Sequence, residues 1–141
     1  MSMDVILTIC GRQSYEGQEP DTIELVTEGV LERKNGAWEV WYEESDLTGL
    51  SGTRTTFRLE EDKVTLTRAG QLSSEMIFQE GVRHDSLYQM EFGALMIGVC
   101  ARNIHWVMDE TGGDIRILYG IEIEQSTVGT VEYQVAVRPA A

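Results

Sequence analysis

An all-β fold is what this sequence predicts, as an antiparallel up-and-down barrel of about eight to ten strands. Apolar and polar residues alternate with period two through nearly every segment, turn residues interrupt them at short intervals, and no segment keeps a helical period over a useful length. Closure follows because a meander of short links otherwise leaves edge strands exposed; a two-sheet sandwich is the alternative. At 141 residues the chain reads as one domain, 1–141, able to bury about two thirds of its extended-chain surface.

The first strand, about Met3 to Gln13, carries apolar residues on both parities (Val5, Ile6, Leu7, Ile9) and should be well covered. A polar loop with Pro20 leads to the second strand, about Thr22 to Lys34, whose internal Gly29 predicts a bulge or sharp bend. Asn35-Gly36 is a strong hairpin signal, since a type I′ turn needs positive φ at both central residues. The third strand, about Ala37 to Ser45, is thereby antiparallel to the second.

Asp46 to Gly52 is a glycine-punctuated connection into the fourth strand, with Thr53, Thr55, Phe57 and Leu59 on one parity. Glu61-Asp62 turns into the fifth, about Lys63 to Ala69, and Gly70-Gln71 into the sixth, about Leu72 to Gln79. The seventh places Tyr88, Met90 and Phe92 on one face, and Gly93-Ala94 reverses into the eighth with Leu95, Ile97 and Val99. Alternation slips toward Trp106, which predicts a bulge near Arg102 and Asn103. After Thr111-Gly112-Gly113 the ninth strand turns Ile115, Ile117, Tyr119, Ile121 and Ile123 inward, and the tenth Val131, Tyr133, Val135 and Val137.

With 24 acidic against 11 basic side chains the net charge is −13, which repels phosphate backbones and anionic membrane surfaces. Nucleic-acid and membrane partners are therefore disfavoured, and a solvated acidic surface is the simplest account. Cys10 and Cys100 are too few for a disulfide scaffold and no signal peptide is recognisable, so a reduced cytoplasm is expected. Phe92 to Ala101, the longest apolar run, is about half a membrane helix and reads as a strand covered on both sides or at a subunit contact.

Parity singles out one stretch. Trp38, Val40, Tyr42, Glu44 and Val64, Leu66, Arg68 are rows in which apolar residues come first and a charge closes the series. The third and fifth strands run the same way, so Glu44 and Arg68 fall about 10 Å apart at one end of the barrel, a gap an arginine can largely span. Inward Thr53, Thr55 and Ser74 belong to that end. Three readings stay open: both charges snorkel to water, they form a structural ion pair, or Arg68 receives a carboxylate or similar anion inside the barrel. Inward Tyr42, Tyr88, Tyr119 and Tyr133 read first as core and second as pocket lining with directional hydroxyls.

Other chemistry finds no pattern. His84 and His105 have no metal-ligand spacing around them, Glu43 and Glu44 point to opposite faces, and the cysteines show no CxxC. No nucleophile elbow, phosphate loop or dinucleotide fingerprint occurs, so no catalytic residue, metal or cofactor is assigned. Gly36-Ala37-Trp38 matches the Gly-x-Trp of lipocalins only superficially, lying at a mid-barrel hairpin.

The run from Tyr42 to Val99, with Gly112 to Glu124, resembles the YwiB-like family of uncharacterised bacterial proteins over nearly its full length. The residues that carry the likeness are Tyr42-x-Glu44, Thr48-Gly49-Leu50-x-Gly52-Thr53, Arg68-x-Gly70, Tyr88 with Phe92-Gly93, and Gly112-Gly113 leading to Tyr119. The resemblance implies a calycin-like barrel, akin to lipocalins and fatty-acid-binding proteins, in a small cytoplasmic protein, and implies no activity. Tyr88-Gln89-Met90 departs from the Tyr-x-Thr usual in relatives, and the late arginine-x-tyrosine of fatty-acid-binding proteins is absent. The leading expectation is a barrel that binds a small organic molecule at a polar mouth of Tyr42, Glu44, Thr53, Arg68, Tyr88 and Tyr119. The competing expectation is a structural or interaction module with a filled interior, homodimeric through an apolar strand such as Leu95 to Val99.

Overall fold

A computed structural model describes residues 2–15, 17–45, 50–70, 72–90, 93–123 and 126–140, the side chains of Tyr88 and Met90 excepted. Expectations for Asp46 to Gly49, Phe92, the Gln125 turn and the Tyr88 side chain lie outside the described residues. Ten strands follow in order: β1 Ser2–Tyr15, β2 Asp21–Lys34, β3 Ala37–Glu43, β4 Arg54–Leu59, β5 Val64–Ala69, β6 Ser74–Phe78, β7 Arg83–Met90, β8 Gly93–Asp109, β9 Gly112–Ile123 and β10 Ser126–Pro139.

Each strand pairs antiparallel with its sequence neighbour, and β1 pairs with β10, so the meander forms one sheet ordered β6-β5-β4-β3-β2-β1-β10-β9-β8-β7. Its ends approach one another. Ser73 and Gln89 exchange two main-chain hydrogen bonds at 3.1 and 3.0 Å, and the Gly81 N–H donates to the Ala101 carbonyl at 3.1 Å. Ser86 adds a hydroxyl bond to the Glu75 carbonyl. The result is a nearly closed antiparallel barrel, the architecture expected from alternation and short links.

Turn chemistry sets the register. Asn35 and Gly36 have φ of 51° and 80°, the left-handed pair that the β2–β3 hairpin requires. The slip of alternation in β8 is a bulge between Ala101 and Asn103, and a second lies between Thr127 and Gly129. Gly29 is no bulge, because the β1–β2 register runs through it unbroken. It marks a close approach instead: a Cβ there would stand 2.7 Å from the Trp41 carbonyl oxygen and 2.9 Å from Leu7. Gly29→Ala is therefore expected to cost about 1–3 kcal/mol by forcing backbone apart; an unchanged denaturation midpoint would show that β2 and β3 separate freely.

Alternation fills the interior in layers. Trp38, Leu59, Val64 and Phe78 stand in one register row across β3 to β6, and Val40, Phe57, Leu66 and Met76 in the next. All eight are buried, and β1, β9 and β10 oppose them with Val5, Leu7, Ile115, Ile117, Val135 and Val137. The eighth strand is covered on both sides over only part of its apolar run. It is covered from Ile97 to Val99 and at Ala101, but Leu95 and Met96 are 46% and 55% exposed because the β7–β8 hairpin leaves the packed layers.

Candidate functional site

The row above the two apolar layers is polar. Tyr42, Thr55, Arg68 and Ser74 face one another in register across β3 to β6, and the Glu44 N–H bonds the Thr53 carbonyl one step further. Two-residue alternation thus carries the inward face from Val40 to Tyr42 to Glu44 and from Leu66 to Arg68. The charges do not snorkel: Glu44 keeps 2% of its side-chain exposure and Arg68 14%.

Their groups form a connected set. Arg68 Nε lies 4.0 Å from Glu44 Oε2, and the Thr55 hydroxyl donates to that same oxygen at 2.6 Å. The Tyr42 hydroxyl donates to the Tyr133 phenol oxygen, which also accepts from Arg68. One chain of polar contacts therefore joins β3, β4, β5 and β10 across the barrel. Among the described residues, the buried Thr53 and Ser74 hydroxyls at this end have no hydrogen-bond partner.

An opening in the wall exposes this layer. β2 pairs with β1 along Asp21 to Glu32, but with β3 only over Val30 to Lys34. At Gly29 the strands fork, the Trp41 carbonyl pressing against the inner side of β2 while Tyr42 and Glu44 continue beside β4. Between the prongs lies a cleft of about 310 Å³. Ile9, Ile23 and Leu25 give it apolar walls, and Tyr42, Glu44, Arg68 and Tyr133 its polar floor. Another hollow, about 770 Å³, lies around the fork along Asp4, Val26, Glu28 and Trp41; it has none of the buried charges and is not the site.

Of the residues expected at the mouth, Tyr42, Glu44 and Arg68 meet at the cleft and Thr53 lies beside Glu44. Tyr119 is elsewhere in the core, its ring 4.6 Å from Phe78. Tyr133 is the group that reasoning from the sequence left out of the site. It was legible as inward-facing, but its place opposite Tyr42 depends on β10 pairing with β1, where Tyr133 falls across from Gly11.

Both phenols are held protonated. Burial is the main cause for each, reinforced at Tyr42 by Tyr133 and Glu44 and opposed at Tyr133 by Arg68. Their ionisation is pushed above the ordinary 10.0, so neither supplies a phenolate base at neutral pH. In the unfolded chain they release protons near 10 that the fold retains. Stability is then full below pH 10 and falls as pH rises above it. Tyrosinate absorbance should show at least two of the five tyrosines silent until the fold is lost; complete titration near pH 10 with the barrel intact would contradict this. The Cys100 thiol is likewise pushed up, mainly by its hydrogen bond to Glu122 at 2.8 Å.

Among the described residues no cluster of His, Cys, Asp or Glu is arranged to hold a metal, and no helix is long and apolar enough to cross a membrane. Comparison with known proteins places the chain. It is 28% identical over 104 residues to the uncharacterized β-barrel protein YwiB of Bacillus subtilis (strain 168), covering 73% of this chain and 71% of that protein. The crystal structure of the ywiB protein from Bacillus subtilis superposes with a TM-score of 0.89 at 21% identity, over 99% of this chain and 94% of the other. Residues 7–135 match the family model described as a domain of unknown function, DUF1934, and the chain belongs to that family.

Proposed function

We propose that this protein is a small-molecule-binding barrel, calycin-like and cytoplasmic, whose site is the cleft between the forked ends of β2 and β3. One observation carries the reading: the opening sits over the only buried ion pair among the described residues, with apolar walls above it. Elsewhere the interior is layered side chains, and small barrels that are not filled throughout have room for a single small ligand. A volume of about 310 Å³ is at the lower end for such sites.

The floor selects the ligand class. Glu44 neutralises Arg68, and both phenols are uncharged, so a free carboxylate meets no uncompensated cation. A neutral molecule fits better, with an apolar body against Ile9, Ile23 and Leu25 and one hydrogen-bonding end toward Tyr133 and Arg68. Native mass spectrometry of the purified protein should show a retained neutral mass, lost on Arg68→Met with Glu44→Gln. A clean protein mass, together with no thermal shift across a panel of neutral amphiphiles, would sink the reading.

Self-association is a second reading, favoured by exposed Leu87, Leu95 and Met96 on the β7–β8 hairpin. Sedimentation would show a dimer that Met96→Glu dissolves.

A further inference from the structure

The fork that opens the cleft also strips β2 of a neighbour. From Asp21 to Gly29 its β1 side is fully paired, while among the described residues no strand hydrogen-bonds to its other side. In an extended strand every second residue turns its N–H and C=O to that side, so a row of main-chain donors and acceptors faces the opening. Asp21 to Gly29 contains neither proline nor lysine, its inward positions past Asp21 are Ile23, Leu25 and Thr27, and its only edge-guarding charges are acidic, which leaves it open to a basic strand.

The outward positions are Glu24, Val26 and Glu28, all exposed, with Val26 at 67%. Among the described residues neither glutamate makes an ion pair. Across the opening, Glu43 is already held by Arg54 at 2.7 Å, and that guanidinium lies 3.9 Å above the Trp41 ring. The unmatched charge of the fork is therefore on β2, in a chain of net −13.

We propose that β2 receives an extended basic segment of a partner protein by strand addition along Asp21 to Glu28. Main-chain hydrogen bonds supply the affinity, and alternation supplies the specificity. Lysine or arginine at every second position stands on the outer face beside Glu24 and Glu28, and the apolar residues between them turn inward beside Ile23 and Leu25. A second copy of the chain fits worse. Antiparallel pairing of β2 with itself about Val26 sets Glu24 directly against Glu28 twice, and pairing about Leu25 still sets Glu24 diagonally beside both glutamates of the other copy, where a basic strand offers opposite charge. The proposal shares the Ile23 and Leu25 wall with the cleft but does not rest on the small-molecule reading, since it needs the main-chain edge and outer face of β2 and not the Glu44–Arg68 floor.

The test uses the full chain and a capped peptide of about eight residues, matching the open edge, that alternates lysine and valine. Nuclear magnetic resonance titration is expected to move the amide signals of Thr22 to Glu28 first. Reversing both charges, with Glu24→Lys and Glu28→Lys, should weaken binding about tenfold and transfer the preference to a glutamate–valine peptide. Both positions are exposed, so the variant should fold. Two N-methylated peptides supply the decisive readout: methylation on every lysine nitrogen blocks one edge of the peptide, and on every valine nitrogen the other. Strand addition requires that one of the two lose binding while the other keeps it. Retention by both, loss by both, no binding to the wild type, or signals moving elsewhere on the barrel each overturn the proposal. So does a peptide-free dimer with protected β2 amides, which assigns the edge to a second copy. Retained mass in native spectrometry reads the cleft separately, so either proposal can fail alone.

Discussion

Arg68→Met is expected to destabilise the protein by about 3–5 kcal/mol, because it leaves the Glu44 carboxylate buried without its cation. The Glu44 side chain is 2% exposed, so water cannot replace the guanidinium. The substitution also removes the Arg68 hydrogen bond to Tyr133, on which Tyr42 leans. Adding Glu44→Gln removes the stranded charge while keeping an acceptor for the Thr55 hydroxyl, which donates to Glu44 at 2.6 Å. The double variant should therefore recover much of the loss, with a coupling of about 0.5–3 kcal/mol in chemical denaturation. Strictly additive losses would mean that the 4.0 Å separation carries no interaction.

Phe57→Ala should cost about as much, roughly 3–5 kcal/mol, by a different mechanism. Phe57 is fully buried in the central apolar row between Val40 and Leu66, and its ring lies 5.8 Å from that of Tyr133. Truncation leaves a void directly beneath the polar layer, and the rows on either side are held in sheet register and collapse poorly into it. The Tyr133 ring then loses its support and the cleft floor loosens with it. Ile23→Ala is the matched control: it is 51% exposed at the cleft rim and should change stability by less than about 0.5 kcal/mol. A loss below about 1 kcal/mol at Phe57 would show that the layers repack around the gap.

Both variants also bear on the proposed site. A ligand held by the cleft should dissociate more readily from Phe57→Ala than from Ile23→Ala if the polar floor fixes it, and the reverse if apolar contact at the rim dominates. The same pair of substitutions separates floor from wall without touching the charges.

Much of this site could be read from spacing alone. A side-chain period of two places Trp38, Val40, Tyr42 and Glu44 on one face, and short links make strands three and five parallel in direction, so Glu44 and Arg68 had to fall at one end. Asn35-Gly36 fixed the hairpin, and broken alternation gave the bulge at Arg102. These are local properties, set by backbone geometry within a few residues.

Gly29, Leu95 and Tyr133 were not legible in the same way. Glycine in a strand signals that something comes close, but only the three-dimensional path showed that it was the Trp41 carbonyl and that the strands part there. An apolar run says nothing of where the barrel wall ends, which is why Leu95 and Met96 proved half exposed. Tyr133 meets Tyr42 because the last strand pairs with the first, a contact between chain ends that no short-range pattern encodes. Sequence by itself determined the strands, their facing and the end of the barrel that is polar, since each follows from alternation and turn chemistry. Tertiary structure alone decided that the wall opens beside that polar end, because the opening depends on β2 following β1 along its length while leaving β3 at Gly29, a partition of pairings between distant strands.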